Sequence, residues 1–208
     1  MIKNILFDMG GVVFEIDKVE PYKRFGALGI NPDDYVDLYT QKGFFLDLET
    51  GKIDADEFCR LLAKVGGRDA VSYDEAQYCW LGFVKNIPER NLNCFTRLRR
   101  KYHLCLTTNT NPFIMKFMRS DRFSGDGHPI TDYFDSLFCS YEIKHCKPSA
   151  DYFNYVLRAD NMNADECLFV DDSINNIRSA ESLGIHGFLV EPGKDWTVAL
   201  EKKLGEEA

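Results

Sequence analysis

Short apolar segments alternate with amphipathic ones over most of the chain. Five runs of three or four apolar residues predict buried strands at 5–7, 104–106, 137–139, 167–170 and 188–190. Runs this short, apolar on both faces, are typical of the central strands of a parallel sheet covered by helices on each side. The intervening amphipathic segments predict helices that begin near Pro88, Asn111, Ser149 and Ser173. We therefore expect an α/β fold built on a doubly wound parallel sheet.

A helical insertion is predicted directly after the first strand. Between residues 15 and 85 apolar positions recur at helical spacing, and no central strand follows the short run at 12–14. One predicted helix begins at Asn31–Pro32 and has an apolar face of Tyr35, Leu38 and Tyr39. Another begins at the N-cap Asp54 and has a face of Phe58, Leu61, Leu62 and Val65. We expect a core of residues 1–14 and 86–208 and an insertion of residues 15–85.

Composition and charge narrow the class of protein. The 208 residues are 45% hydrophobic and 28% charged, which suits one core with a small satellite domain. The net charge of −8 argues against nucleic acid or an anionic membrane as partner. No apolar stretch approaches the roughly 20 residues that span a bilayer, and the N-terminus lacks the pattern of a signal peptide. Seven cysteines without a Cys-x-x-Cys pair predict reduced thiols, so we expect a cytoplasmic protein.

Polar residues stand where the predicted strands end. In an open parallel sheet, ligands bind beyond the carboxyl ends of the strands. The residues at these ends are Asp8, Thr108, Asn109, Lys147, Asp171 and Asp172. Each one alone is ordinary, because aspartate, threonine and asparagine are common turn and cap residues and lysine is common on surfaces.

Their combination points to a particular chemistry. Three carboxylates facing one another repel unless a cation lies among them, and hard oxygen ligands suit Mg²⁺. A lysine, threonine hydroxyls and helix N-terminal amides beside such an ion form a site for a phosphoryl group. The sequence therefore predicts a magnesium site that binds a phosphate compound.

Four short motifs resemble a known family. Residues 8–12 (Asp-Met-Gly-Gly-Val), 108–109 (Thr-Asn), 147–148 (Lys-Pro) and 171–172 (Asp-Asp) have the order and spacing of the four motifs of haloacid dehalogenase-like hydrolases. The resemblance covers essentially the whole chain, and residues 49–53 resemble a stretch common in the helical caps of that family. It implies a Rossmann-like core with a mobile cap and a Mg²⁺-dependent phosphatase activity.

The resemblance assigns a role in metal binding to four residues. Asp8 matches the nucleophile that forms an aspartyl-phosphate, and its second carboxylate oxygen would ligate Mg²⁺. The backbone carbonyl of Gly10 and the carboxylate of Asp172 would complete the protein ligands. Asp171 would either bind the metal as a further ligand or contact a ligand without binding the metal itself.

Three other residues would bind the substrate. Thr108 and the backbone at Asn109 would hold a phosphoryl oxygen, and Lys147 would neutralise charge on Asp8 and on the phosphate. Catalysis of this kind works by positioning and electrostatics, because cations offset the repulsion between an anionic nucleophile and an anionic substrate.

One position departs from the family pattern. Phosphatases of the family usually carry a second aspartate, the general acid and base, where this chain has Gly10. Three consequences are open: the substrate has a good leaving group, such as an anomeric sugar 1-phosphate; Asp17 or Glu15 substitutes; or turnover is poor. A bacterial branch with glycine here, including sugar-1-phosphate phosphatases, is similar and has acidic residues near both positions. We therefore take Asp17 as the catalytic candidate.

We expect a Mg²⁺-dependent phosphatase of a small phosphate ester, such as a sugar phosphate, that is a monomer or a homodimer. One alternative is carbon–halogen hydrolysis, which needs no metal and suits the acidic pair at 171–172 less well. The other is a non-catalytic protein that binds a phosphate ligand or a partner, supported by the missing acid–base aspartate. Cap aromatics that either contact the substrate or form a core are Phe14, Phe44, Phe45 and Trp80.

Overall fold

The fold was analysed in a computed structural model that describes residues 1–36 and 41–206. The strands are β1 (Asn4–Phe7), β2 (Glu15–Ile16), β3 (Val84–Asn86), β4 (His103–Thr108), β5 (Ser136–Cys139), β6 (Cys167–Asp171) and β7 (His186–Leu189). The helices are α1 (Glu20–Ala27), α2 (Gly43–Glu49), α3 (Ala55–Val65), α4 (Tyr73–Trp80), α5 (Glu89–Leu98), α6 (Pro112–Met118), α7 (Ser140–Ile143), α8 (Ala150–Ala159), α9 (Ile174–Ser182) and α10 (Thr197–Glu206). Single 3-10 turns lie at Pro32–Asp34, Leu81–Phe83, Ile130–Asp132 and Ala164–Glu166.

Five parallel strands form the central sheet, in the order β5-β4-β1-β6-β7. All residues of β1 and β6 are buried, as expected from the apolar runs 5–7 and 167–170 that make up most of the two strands. Strand β7 spans His186–Leu189, so the predicted run at 188–190 overlaps only its second half. The predicted α/β fold with a parallel, Rossmann-like sheet is confirmed.

Helices cover both faces of this sheet because successive strand residues point to opposite sides. On one face Leu6, Cys105 and Phe169 pack with apolar residues of α8 and α9. On the other, Phe7 meets Phe95 of α5 edge to face, with ring centroids 5.0 Å apart. The two resulting cores hold the carboxyl ends of β1, β4 and β6 in fixed register at one edge of the sheet.

Helices α1 to α4 lie between two short antiparallel strands, β2 and β3. Glu15 is opposite Asn86 and Ile16 is opposite Val84, so the chain enters and leaves the insertion side by side. The insertion has its own aromatic core, in which the ring centroids of neighbours lie 5.0 to 5.8 Å apart: Phe25, Phe45, Phe58 and Trp80. The predicted boundaries at residues 15 and 85 fall in the paired strands, and the division into two domains stays a prediction.

The first predicted helix of the insertion is not confirmed over the residues described there. Pro32–Asp34 form a 3-10 turn and Tyr35 and Val36 are not helical, whereas Leu38 and Tyr39 lie outside the described residues. The amide N–H of Lys42 donates to the carbonyl of Tyr35 at 2.7 Å. The second predicted helix is confirmed as α3, with the Asp54 carboxylate accepting the amide N–H of Glu57 at 2.8 Å.

Two further features bear on the class of protein. Within residues 1–36 and 41–206, no helix has the length and apolar character needed to cross a bilayer. The seven cysteines are all free, and six of them are buried.

We predict that Asp54→Ala lowers the free energy of unfolding by about 1 kcal/mol, because α3 loses its N-cap acceptor. Urea titration followed by circular dichroism measures the change. The control is Asp56→Ala, which removes a carboxylate from the first turn of α3 and leaves the bond between Asp54 and the Glu57 amide in place. If the free energy of unfolding fell equally in the two variants, the effect would arise from charge near the helix N-terminus and not from the cap.

Candidate active site

The ends of two neighbouring strands bring the acidic residues together. Asp8 follows β1, Asp171 ends β6, and Asp172 is the next residue. Because β1 and β6 are adjacent and parallel, their carboxyl ends lie at the same edge. One carboxylate oxygen from each of the three aspartates lies within 4.8 Å of the others. The structure thus joins residues that are more than 160 positions apart in the sequence.

Lys147 is the buried cation of this cluster. Its ammonium group donates to Asp8 Oδ1 at 2.7 Å and to Asp171 Oδ2 at 2.8 Å, and its side chain is only 2% exposed. A buried ammonium is tolerated only when it is paired in this way. The lysine therefore lies between the strand-β1 and strand-β6 carboxylates, where it compensates the charge of both.

Asn109 holds the backbone of that lysine. Its side-chain amide donates to the carbonyl of Lys147 and accepts the amide N–H of Lys147, both at 2.8 Å. The side chain of Asn109 thus positions the backbone of Lys147, while the backbone of Asn109 is predicted to hold a phosphoryl oxygen. Thr108, at the end of β4, is 1% exposed and lines the same cavity as Asp8.

Asp171 is fully buried and both of its oxygens are occupied. Besides Lys147, it accepts the amide N–H of Ser173 at 2.7 Å and the Asn176 amide at 3.1 Å on each oxygen. Two roles are predicted for Asp171. This bonding favours the role of a partner that orients Lys147 and disfavours the role of a direct metal ligand.

Asp172 lies close to the backbone that follows Asp8. A Cβ atom on Gly11 would be 2.4 Å from Asp172 Oδ2, and Gly11 has φ = +77°, so only glycine fits without strain. Gly10, the predicted carbonyl ligand, lines the cavity beside them. The loop itself is held by Trp196, whose indole N–H donates to the carbonyl of Val12 at 3.1 Å.

The electrostatics of the cluster favour a bound cation. Burial raises the pKa of Asp8 to about 7 against the opposing charge of Lys147, and the charges of Asp171 and Asp172 add to the rise. Burial, with the charge of Asp171, raises the pKa of Asp172 to about 6. Three carboxylates share one ammonium, and a divalent ion would stabilise their ionised forms. This all-oxygen donor set fits Mg²⁺.

A cavity of about 990 Å³ lies over the cluster, between the sheet edge and the insertion. The core contributes Asp8, Thr108 and Lys147, and the insertion contributes Glu49 and Trp80. Such a volume accommodates a small phosphorylated metabolite. Of the aromatics predicted to contact either substrate or core, Phe14 and Trp80 line this cavity, while Phe44 and Phe45 pack in the insertion, 4.9 Å apart.

The structure does not bring Asp17 into this cluster. Its carboxylate accepts the amide N–H groups of Val19 at 2.7 Å and Glu20 at 2.9 Å, and these bonds lower its pKa. It therefore caps the start of α1. Glu15, the other candidate, does line the cavity but lies 3.6 Å from the guanidinium of Arg90. Proton transfer by Asp17 stays a prediction.

Sequence reasoning missed a buried acidic residue of the cavity. Glu49, at the end of α2, is 9% exposed, and burial together with the charge of Asp8 raises its pKa to about 8. The signal in the sequence is its position in the stretch 49–53, which resembles a stretch common in the caps of the family.

Known proteins share this fold and sequence. Residues 2–184 match the haloacid dehalogenase-like hydrolase family. A D-ribitol-5-phosphate phosphatase of Bacteroides thetaiotaomicron is 41% identical over 197 residues, covering 94% of this chain and 95% of that relative. A HAD-like family hydrolase of Porphyromonas gingivalis superposes with a TM-score of 0.93 at 33% identity, covering 98% of both chains. A HAD family enzyme of Bacteroides thetaiotaomicron, crystallised with magnesium and inorganic phosphate, superposes with a TM-score of 0.87 at 32% identity. The match covers 96% of this chain and 99% of that one.

The fold and the site thus define a hydrolase with a Rossmann-like core, and the chain belongs to the haloacid dehalogenase-like hydrolase family. It is a Mg²⁺-dependent phosphatase that acts on a small phosphorylated metabolite.

We predict that Gly11→Ala weakens Mg²⁺ binding roughly 10- to 100-fold, the usual range for disturbing the surroundings of a metal ligand. The new methyl group would displace the Asp172 carboxylate. Isothermal titration with MgCl₂ measures the affinity. Gly26→Ala is the control, because a Cβ atom there meets nothing within 4 Å. Unchanged Mg²⁺ affinity in Gly11→Ala would contradict the assignment of Asp172 as a ligand.

Proposed function

We propose that the protein hydrolyses the phosphate monoester of a sugar or polyol through an aspartyl-phosphate formed on Asp8. The observation that carries this proposal is the buried ammonium of Lys147, which lies 2.7 Å from the Asp8 carboxylate in the cavity. The relative named for D-ribitol 5-phosphate, similar over nearly its whole length, supports a polyol or sugar phosphate as the substrate class.

In the first half-reaction, a carboxylate oxygen of Asp8 attacks the phosphorus atom and the ester oxygen leaves. Lys147 keeps Asp8 ionised and also offsets the charge of the approaching phosphate. The Thr108 hydroxyl and the backbone N–H of Asn109 hold the phosphoryl oxygens, so that the ester oxygen lies opposite the attacking carboxylate. Asp171 keeps the lysine in position through the 2.8 Å bond between them. This arrangement makes the reaction one of positioning and charge compensation.

Magnesium would be held by the carboxylates of Asp8 and Asp172 and by the backbone carbonyl of Gly10. When bound, the ion supplies positive charge that offsets the repulsion between nucleophile and phosphate. In the second half-reaction, water attacks the phosphorus atom of the aspartyl-phosphate and releases inorganic phosphate and the Asp8 carboxylate. The insertion covers the cavity and limits the access of other water to the reacting groups.

The composition of the chain bears on its partners and its location. A net charge of −8 supports a protein that acts without nucleic acid or membrane partners. A cytoplasmic location is in keeping with seven free cysteines. We keep a monomer or a homodimer as the expected assembly.

Asp8→Asn is expected to abolish turnover, because an amide cannot act as the nucleophile. Phosphate release from a panel of sugar and polyol phosphates, measured in the presence of Mg²⁺, provides the test. Asp121→Asn, a change of the same kind at an exposed site, serves as the control. Turnover retained by Asp8→Asn in a folded protein would refute the nucleophile assignment, and an inactive wild-type protein across a broad panel would favour a non-catalytic binding protein.

Removal of the metal is expected to stop phosphate release, because the excess negative charge of the cluster then opposes an anionic substrate. Excess EDTA should abolish the wild-type activity, and added Mg²⁺ should restore it. Halide release from a 2-haloacid that survives EDTA would support the dehalogenase alternative in place of this proposal.

A further inference from the structure

The proposed reaction needs a proton donor that the site described so far does not supply. The alcohol of a sugar or polyol phosphate leaves poorly unless its oxygen is protonated. Gly10 stands where the family pattern has an acid–base aspartate, and Asp17 caps α1 outside the cavity lining. A donor must therefore come from another element that reaches the cavity.

Apart from Asp8 and Asp172, three carboxyl groups in the described part of the chain line the cavity: those of Glu15, Asp33 and Glu49. Glu15 is paired with Arg90 at 3.6 Å, and Asp33 is exposed. Glu49 alone among the three is buried. Within residues 1–36 and 41–206, its carboxyl takes part in no hydrogen bond or ion pair.

Contacts between the insertion and the core fix Glu49 over the site. The thiol of Cys146, which directly precedes Lys147, donates to the Glu49 backbone carbonyl at 3.7 Å. Two residues further on, Gly51 packs so tightly that a Cβ atom would lie 2.2 Å from the carbonyl oxygen of Tyr141. This contact and the φ of +65° require glycine there. The end of α2 is therefore held on the core, beside the loop that carries the catalytic lysine.

The carboxyl group is suited to carry a proton. A carboxyl that is buried without a cation or a donor is held in its neutral form, because its charged form would be poorly solvated. Burial accordingly raises the pKa of Glu49 above its usual range, and the charge of Asp8 adds to the rise. The neutral acid is a proton donor, and Glu49 lines the substrate cavity.

We propose that Glu49 is the general acid and base of this enzyme, supplied by the cap in place of the aspartate missing at Gly10. The inference rests on the proposed function. In the first half-reaction Asp8 forms a bond to phosphorus, the P–O ester bond breaks, and the departing oxygen takes the Glu49 proton and leaves as the alcohol. In the second, the Glu49 carboxylate takes a proton from the attacking water, the bond between Asp8 and phosphorus breaks, and inorganic phosphate is released.

The test compares two leaving groups in Glu49→Gln, which keeps the size of the side chain. With D-ribitol 5-phosphate, whose alcohol needs a proton, we expect single-turnover cleavage to fall about 10²- to 10⁴-fold. With 4-nitrophenyl phosphate, whose phenolate leaves unprotonated, cleavage should stay within a few-fold of wild type. It should appear as a burst of one 4-nitrophenolate per enzyme, followed by slow turnover, because water attack has lost its base.

Two control variants are measured in the same way. Glu57→Gln removes a carboxylate from α3, outside the cavity lining, and should match the wild type with both substrates. Asp17→Asn tests the candidate from the sequence, and it too should show no dependence on the leaving group.

Three results would overturn the assignment: an equal loss with both substrates in Glu49→Gln, no loss with either, or a loss confined to the poor leaving group in Asp17→Asn. A burst of one product per enzyme also shows that the variant is folded and binds substrate. Failure of the proposed function itself is distinct, because the wild-type protein would then release no phosphate and Asp8→Asn would change nothing.

Discussion

The buried ammonium group of Lys147 is the interaction on which the site depends. It joins Asp8, at the end of the first strand, to Asp171, at the end of the sixth, with contacts of 2.7 and 2.8 Å. Removing one partner of such a pair leaves an uncompensated buried charge, which typically costs about 3–5 kcal/mol. The same ammonium lowers the cost of bringing an anionic phosphate against an anionic nucleophile. Structural stability and catalytic electrostatics therefore rest on one group, which explains why Asn109 and Asp171 are both used to position it.

The backbone after Asp8 shows why small residues are needed beside a crowded acidic cluster. Gly11 lets the Asp172 carboxylate approach the chain at a distance no side chain would permit. Gly10 lines the cavity without a side chain, so it offers a backbone carbonyl for the expected metal site and no group for proton transfer. The proposed mechanism thus divides two tasks. The sheet edge carries the proposed nucleophile, the lysine and the expected magnesium ligands, whereas the leaving group is protonated from an element outside the core.

The insertion is well placed for that second task because it packs directly on the core beside the cavity. Strands β2 and β3 pair where the chain enters and leaves the insertion, and its aromatic cluster around Phe45 and Trp80 continues into the core, where Phe58 lies 5.6 Å from Phe113 of α6. Gly51 packs against Tyr141 in a further contact with the core. In the proposed mechanism, an acid carried on this element protonates the leaving group from the insertion's part of the cavity lining.

The sequence alone determined the parallel sheet, and it predicted the helical insertion and the polar residues that follow the strand ends. Buried strands, caps such as Asp54 and polar strand ends are set by local patterns and by the geometry of parallel sheets. Only the tertiary structure decided that Asp17 caps a helix, that the Asn109 side chain holds a backbone, and that Glu49 lies buried near Asp8. The reason is physical: each outcome depends on how the insertion or a loop docks on the core, and docking joins residues distant in sequence whose contacts leave no periodic pattern.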